Sequence, residues 1–288
     1  MLKDILRMCK IKHYIKNVIV ILPLIFSMNI FNVELYPKCI LIFLGFCLIS
    51  SSVYVMNDII DAEYDKKHPL KCSRPVADGR ISKRTAVIIC ILLFLMSFLT
   101  VYSLNRLCML MIGLYFVLNI FYSLSLKNIL LVDAACIATG FIFRMVAGCF
   151  AIDVLPSPLV ILMTFFVSMF FTFTKRKLEL ELAKNNNFIR KSVSDIDIDT
   201  ANKFILINAV LSVSFYITYT LNDNAIIHSG SKYFYLTAVP FTLIIFRLLL
   251  LSDILKDNDD PAVFFEKDKT LLSFILFYFV ILIVVYCL

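Results

Sequence analysis

The residues best suited to chemistry lie in one stretch, NDIIDAEYDKKHPLKCSRPVADGRISKR, at positions 57–84. Asp58, Asp61 and Asp65 stand at i, i+3 and i+7, so they share one face if the preceding helix continues through them. Three carboxylates this close repel one another and require a cation between them. Mg²⁺ suits them because it takes one or two carboxylates and completes its shell with water and phosphate oxygens. The pattern predicts a catalytic Mg²⁺ site with these three ligands, and Asn57 orienting a ligand or a water.

The basic residues after this acidic stripe supply the opposite charge. One interpretation is a solvated helix end that Lys66, Lys67 and Lys71 neutralise. The other is a phosphate site, because planar guanidinium groups match phosphate oxygens and lysine adds a point charge. The position of the stripe between two apolar runs favours the second interpretation. The candidates for phosphate binding are then Lys66, Lys71, Arg74 and Arg80.

A second charged stretch, TFTKRKLELELAKNNN, occupies positions 172–187. On a helix, Lys175 and Glu179 are one turn apart, and such a surface ion pair contributes only about 0.3–0.5 kcal/mol. As an alternative to this pair, Lys175 and Arg176 would contact phosphate while Glu179 reaches a metal or a sugar hydroxyl. Three further aspartates, which we predict to face solvent, follow at Asp195, Asp197 and Asp199.

The segments that carry these loops are strongly apolar. The 288 residues are 61% hydrophobic and 17% charged, with a mean hydropathy of +0.90, which is too apolar for a soluble domain of this length. Apolar windows of about 17 to 23 residues can cross the ~30 Å hydrocarbon core as helices. Nine windows predict an all-α polytopic membrane protein with nine transmembrane helices, at 17–31, 39–56, 86–104, 107–125, 129–151, 157–174, 201–221, 234–251 and 270–288.

The first of these windows is interrupted by Pro23 and Asn29. A cleaved secretory leader is an alternative there, but no small-residue cleavage site follows the apolar core. We therefore expect a single membrane domain over 1–288, with residues 1–16 forming a helix that lies in the membrane interface.

Basic residues are concentrated in every second loop. Of the 28 Lys and Arg residues, 23 lie in the segments 1–16, 57–85, 126–128, 175–203 and 252–269. Because such loops stay in the cytoplasm, we predict a cytoplasmic N-terminus and a protein of the cytoplasmic (inner) membrane. The loops 57–85 and 175–200 would then form an active site that faces the cytoplasm. The net charge of +7 indicates contact with anionic lipid or a phosphorylated substrate, and no nucleic acid is implied.

Ionisable residues inside apolar windows are costly and often functional. Asp133 and Arg144 fall in one window, eleven positions apart, which is about 16 Å along a straight helix and excludes a direct pair. Asp133 lies near the predicted cytoplasmic end and is a candidate for the site. Arg144 lies deeper, and we expect it to pair with another helix.

The stretch NDIIDAEYD resembles the first aspartate-rich motif, NDxxDxxxD, of the UbiA superfamily of intramembrane prenyltransferases. That resemblance implies a nine-helix bundle with a metal site at its cytoplasmic mouth. Members that use a polyprenyl diphosphate usually carry a second aspartate motif after the sixth span, where this chain has KRKLEL. The replacement is similar to the branch of polyprenyl-phosphate phosphoribosyltransferases. Three more stretches resemble that branch: HYIKNVIVILPL, YSLSLKNILLVDAACIATGFIFRMVAG and DDPAVFFEKDKTLL.

This resemblance implies transfer of 5-phosphoribose from 5-phosphoribosyl 1-diphosphate to a polyprenyl phosphate, with release of diphosphate, in cell wall biosynthesis. Asp58, Asp61 and Asp65 would hold Mg²⁺ on the leaving diphosphate. Residues expected to complete the ribose pocket are Tyr122, Lys127 and Asp133. The runner-up is a prenyltransferase with an aromatic or glycerol-phosphate acceptor. A transporter would instead place charge along a path near the midplane, and the sequence leaves assembly into a homo-oligomer open.

Overall fold

The computed structural model describes residues 2–67, 71–183, 196–223, 225–226, 231–254 and 268–287, and within these ranges the regular structure is entirely helical. The chain divides into two compact units. The first comprises residues 1–126 and 143–155, and the second comprises 127–142 and 156–288. The all-α prediction is therefore confirmed for the part of the chain that the structure describes.

The α-helices are α1 (Leu2–Met8), α2 (Leu22–Phe26), α3 (Tyr36–Ile60), α4 (Ala62–Asp65), α5 (Lys83–Val101), α6 (Arg106–Leu124), α7 (Leu130–Ala151), α8 (Pro158–Ala183), α9 (Ile198–Thr220), α10 (Ala238–Ser252) and α11 (Lys269–Cys287). Segments of 3-10 helix cover Ile11–Ile21, Val33–Leu35, Leu126–Asn128 and Phe234–Thr237. Eight helical segments of the described residues are long and apolar enough to cross a membrane. They correspond to the second to ninth predicted windows, so the protein is an integral membrane protein.

The first predicted window, 17–31, does not form one long α-helix. A 3-10 helix over Ile11–Ile21 leads into the short helix α2, which has Pro23 in its first turn. Proline suits that position because its missing N–H would have no intrahelical partner there. Met28 then adopts a left-handed conformation with φ 56°, which ends the helical run. The predicted count of nine spans is therefore not confirmed.

The first unit is organised around α3, whose buried side chains Ile42, Phe46 and Ile49 form a core with residues of the neighbouring helices. Arg144 lies in this core, and only 6% of it is exposed. It donates to Asn17 Oδ1 at 2.8 Å, to the Tyr115 hydroxyl at 2.9 Å and to Ser50 Oγ at 3.2 Å. These partners belong to three other helical segments, so the expectation that Arg144 pairs away from its own helix is confirmed.

Gly148 allows the backbone of α7 to approach the 3-10 helix. A Cβ atom at this position would lie 2.0 Å from the Val20 carbonyl oxygen. We expect Gly148→Ala to destabilise the protein by about 2–3 kcal/mol, because a buried backbone must shift to relieve the overlap. Thermal unfolding in detergent measures this loss.

Gly113→Ala is the matched control for that substitution. A Cβ at Gly113 would meet only the Phe98 ring at 3.7 Å, an ordinary contact, and alanine favours the helix. Equal melting temperatures for the two variants would contradict the packing argument.

The second unit packs α8, α9, α10 and α11 around buried Phe170, Phe173, Ile205 and Leu248. Buried hydroxyl groups also join its elements, since the Tyr216 hydroxyl lies 2.8 Å from that of Tyr278 and donates to Thr237 at 2.9 Å. This packing fixes the C-terminal part of α8, where the second charged stretch begins.

Candidate active site

The acidic stripe begins on α3 and continues past its end. Helix α3 ends at Ile60 with Asp61 as its C-cap, and Asp65 lies on the short helix α4. Asp61 has φ −85° and ψ 0°, so the regular α-helix is interrupted at this residue and α4 follows directly. The backbone N–H of Asp65 donates to the Asp61 carbonyl at 2.8 Å, which continues the helical hydrogen bonding across this interruption.

Asp58 and Asp65 are brought together by one arginine. Arg74 Nη1 donates to Asp65 Oδ2 at 2.7 Å and to Asp58 Oδ1 at 3.2 Å. Asp58 and Asp65 are 2% and 1% exposed, whereas the Arg74 side chain keeps 26% exposure. Arg74, one of the predicted phosphate ligands, thus joins two of the three carboxylates that the sequence predicted to form one stripe.

The loop that carries Arg74 is anchored by its own apolar residues. Val76, Ala77 and Ile81 are buried, and Val76 and Ile81 pack in a cluster with residues of α1, α3 and α5. Gly79 supplies a positive φ of 83° at the turn, a conformation that costs glycine little. The fold thus holds the guanidinium at the acidic stripe by burying the part of the loop that follows Arg74.

Lys10 is a functional candidate that sequence reasoning missed. Its ammonium lies 3.7 Å from Asp58 Oδ1 and 4.8 Å from the centre of the Tyr54 ring. Burial lowers the pKa of Lys10, and the charge of Asp58 acts in the opposite direction. This contact is hard to predict from the sequence, because Lys10 is 48 positions from Asp58 and lies in a segment with several other basic residues.

The remaining predicted residues of the first unit have varied surroundings. Asn57 accepts a hydrogen bond from Ser123 on α6. Lys66 is exposed and contacts Glu63 at 3.2 Å. Arg80 donates to Asp78, to Asp4 of α1 and to the Ser73 carbonyl. It therefore joins α1 to the loop between α4 and α5, which is called the basic loop below. Three further candidates are partly exposed: Asp61, Lys71 and Tyr122.

A second charged cluster lies in the second unit, near the C-terminal end of α8. Arg176, which is 3% exposed, donates to Asp133 at 2.6 Å and to both oxygens of Glu179 at 2.7–2.8 Å. Asp133 is completely buried. Lys177 contacts Asp253 at 2.5 Å. Asp133, Arg176 and Glu179 are separate candidates in the sequence, and they form one cluster in the structure.

Other predictions for this region have mixed outcomes. Lys175 is exposed and Lys127 is partly exposed. Asp197 and Asp199 are exposed as predicted, and Asp197 caps α9 by accepting from the Thr200 N–H at 2.9 Å. Asp195 and most of the DDPAVFFEKDKTLL stretch, up to residue 267, lie outside the described residues.

The donor set of the first unit fits a hard divalent cation. Carboxylate oxygens are the ligands that Mg²⁺ prefers, and one or two of them suffice when substrate phosphates complete the shell. Asp58 and Asp65 offer such oxygens around a shared positive group, Arg74. Among the described residues no group of three or more His, Cys, Asp or Glu side chains is gathered for a metal. The fit therefore rests on two carboxylates plus substrate.

Comparison with known proteins shows the class to which this fold and site belong. Residues 20–278 match the UbiA prenyltransferase family, so the chain belongs to that family of membrane transferases. The fold is similar to that of a UbiA homolog from Archaeoglobus fulgidus solved with GPP and Mg²⁺. The TM-score is 0.73 at 15% identity, over 99% of this chain and 100% of that one.

Within the family, the chain is similar to the decaprenyl-phosphate phosphoribosyltransferase branch. The enzyme of that name from Corynebacterium glutamicum is 30% identical over 244 residues, which are 82% of this chain and 73% of the relative. The one from Mycolicibacterium smegmatis is 29% identical over 224 residues, 74% of this chain and 70% of the relative. The resemblance drawn from the sequence motifs is confirmed.

Proposed function

We propose that this protein transfers 5-phosphoribose from 5-phosphoribosyl 1-diphosphate to a polyprenyl phosphate and releases diphosphate. The observation that carries the proposal is the KRKLEL stretch on α8. Where related prenyltransferases place a second set of aspartates, this chain has a buried arginine, Arg176, bound to Asp133 and Glu179. The similarity to relatives named decaprenyl-phosphate phosphoribosyltransferase supports this proposed activity.

In the first unit, Asp58 and Asp65 would hold Mg²⁺ together with the diphosphate oxygens of the donor, and Asp61 is a further candidate ligand from the sequence. The metal would neutralise negative charge on the leaving diphosphate as the bond to the ribose C1 breaks. Arg74 already lies against both buried carboxylates, so its guanidinium is placed to bind the same diphosphate. Lys66, Lys71 and Arg80 remain candidates for the other phosphates.

The proposed acceptor needs little activation by the protein. A lipid phosphate is already anionic at neutral pH, and the ribose develops oxocarbenium character as in other glycosyl transfers. A strong general base is therefore unnecessary, which is consistent with a chain that has only three histidines. Tyr122 and Lys127 are proposed to contact the ribose, Lys175 to contact a phosphate, and Asn57 to orient a metal ligand or a water. Asp133 is fully buried against Arg176 and is proposed to position that arginine instead.

The test is a transfer assay with the purified protein in detergent. Radiolabelled 5-phosphoribosyl 1-diphosphate, Mg²⁺ and a long polyprenyl phosphate are incubated with the protein, and the label in the organic phase is counted. We expect lipid-linked label that requires both the lipid and the metal, so EDTA abolishes it. A folded protein that transfers no ribose with several lipid lengths, but attaches a prenyl chain from a polyprenyl diphosphate, would refute the assignment.

We also propose that the N-terminus is cytoplasmic, that the segment around 17–31 crosses the membrane, and that the site faces the cytoplasm. The distribution of Lys and Arg supports this arrangement. Nine crossings place the two termini on opposite sides, whereas eight place them on the same side. Alkaline phosphatase, active only outside, and a fluorescent protein, active inside, are fused to each terminus in turn. Termini on the same side would contradict the proposal.

A further inference from the structure

The backbone at Lys10 is unusual for a lysine. Lys10 lies between α1 and the 3-10 helix with φ 50° and ψ 50°, a left-handed conformation. This conformation costs free energy for residues with a Cβ, and glycine or asparagine adopts it more readily. Strained residues persist where the surrounding structure holds them, often at functional sites. A turn that served only to redirect the chain would be better made by glycine.

The surrounding structure does hold Lys10 in place. Met8 and Cys9, just before it, are buried in a cluster with Val55 and Ala62. Ser51 of α3 donates to the Cys9 carbonyl at 3.1 Å. Further along, the Tyr14 hydroxyl also lies 2.8 Å from Ser51 Oγ. The segment is therefore fixed to α3 on both sides of the turn.

The turn directs the lysine side chain to the acidic stripe. Its ammonium lies 3.7 Å from Asp58 Oδ1, which is longer than a normal hydrogen bond. Its other contact is the face of the Tyr54 ring. An ammonium has three donors, and neither contact satisfies them as short hydrogen bonds would. Lys10 therefore retains donors for an oxygen ligand beside Asp58.

We propose that Lys10 is a substrate-binding residue that contacts the diphosphate group on the side of the Asp58 carboxylate. Arg74 reaches Asp58 and Asp65 from the basic loop, whereas Lys10 reaches Asp58 from the N-terminal segment. A diphosphate held at Asp58 would then be contacted by cations from two separate elements. This inference deepens the proposed function and rests on its diphosphate-binding step, but not on the identity of the transferred group.

The experiment measures binding of inorganic diphosphate in the presence of Mg²⁺ by titration calorimetry of the detergent-solubilised full chain. We expect Lys10→Met to weaken binding about tenfold or more, the size of one charge-assisted hydrogen bond. Lys10→Arg, which keeps the charge, should stay within about threefold of the wild type. Lys12→Met is the matched control, because Lys12 is an exposed lysine in the same segment, and its affinity should not change.

Lys10→Gly separates binding from folding. Glycine removes the charge as methionine does but also relieves the left-handed strain, so this variant should unfold at a temperature no lower than that of Lys10→Met while binding diphosphate as weakly. Wild-type affinity in both Lys10→Met and Lys10→Gly would overturn the proposal.

The outcome is independent of the transfer assay. A prenyl donor also leaves as diphosphate, so weakened binding in the Lys10 variants would support the role of Lys10 even if no ribose were transferred. No saturable diphosphate binding by the wild type would overturn the role of Lys10 whatever the lipid assay shows.

Discussion

Asp58→Asn is expected to lower the rate of transfer by about 10³-fold while leaving the protein folded. The change removes one negative charge from a nearly fully buried side chain and keeps its shape. Loss of one electrostatic contact at a reacting centre typically costs 10²–10³ in rate, and here the proposed metal would also lose a ligand. Arg74 keeps its 2.7 Å contact with Asp65, so the basic loop should stay in position. The measurement is initial rate against donor concentration.

Asp153→Asn is the matched control for this variant. Asp153 is an exposed aspartate that pairs with Lys38 at 2.7 Å, and its φ of 58° is one that asparagine tolerates. We expect its rate to equal that of the wild type. The metal assignment would be wrong if Asp58→Asn kept near-normal activity, and a melting temperature that fell by more than about 5 °C would point to a structural role instead.

Arg176→Met is expected to destabilise the protein by about 3–5 kcal/mol. Arg176 and Asp133 are 3% and 0% exposed, and removing one partner of a buried ion pair leaves the other charge without its compensation. The long apolar side chain of methionine fills similar space, so the loss reports the charge more than a cavity. Equilibrium unfolding in mixed detergent micelles measures the free energy of unfolding.

The double variant Arg176→Met/Asp133→Leu tests the cause of that loss. Removal of both charges should cost clearly less than the sum of the two single changes, because no unpaired charge then remains buried. Lys175→Met, at the exposed neighbouring position, should change stability by no more than about 0.5 kcal/mol. Additive losses in the double variant would show that Arg176 and Asp133 do not act as a pair.

The two charged clusters differ in how they can work. In the first unit, two buried carboxylates form ion pairs with partly exposed cations. The Arg74 side chain is 26% exposed and that of Lys10 is 24% exposed. In the second unit, Arg176 is enclosed by two acidic partners. The first arrangement can exchange its contacts with a charged substrate, whereas the second stabilises a fixed geometry on α8. We therefore expect substrate affinity to respond most to changes at Arg74 and Lys10.

The sequence by itself determined most of the membrane architecture. Long apolar windows leave few alternatives to helices, because every backbone polar group in lipid must be satisfied within its own segment. Eight of the predicted windows are helices. The 17–31 window is different, because a short helix with Pro23 in its first turn starts within it. Its shape also depends on the close contact of Val20 with Gly148, which is distant in sequence. Hydropathy contains no information about such a contact.

The sequence also predicted that Asp58 and Asp65 lie close together, because positions i and i+7 share a helix face and helical hydrogen bonding continues from α3 into α4. Only the tertiary structure decided what faces those carboxylates. Arg74 was one of several basic candidates in its loop, and Lys10 comes from a segment that the chain brings back to α3 through buried Met8 and Cys9. Likewise, Asp133 meets Arg176 across 43 positions. Partners so far apart in sequence are selected by packing, which residue spacing does not encode.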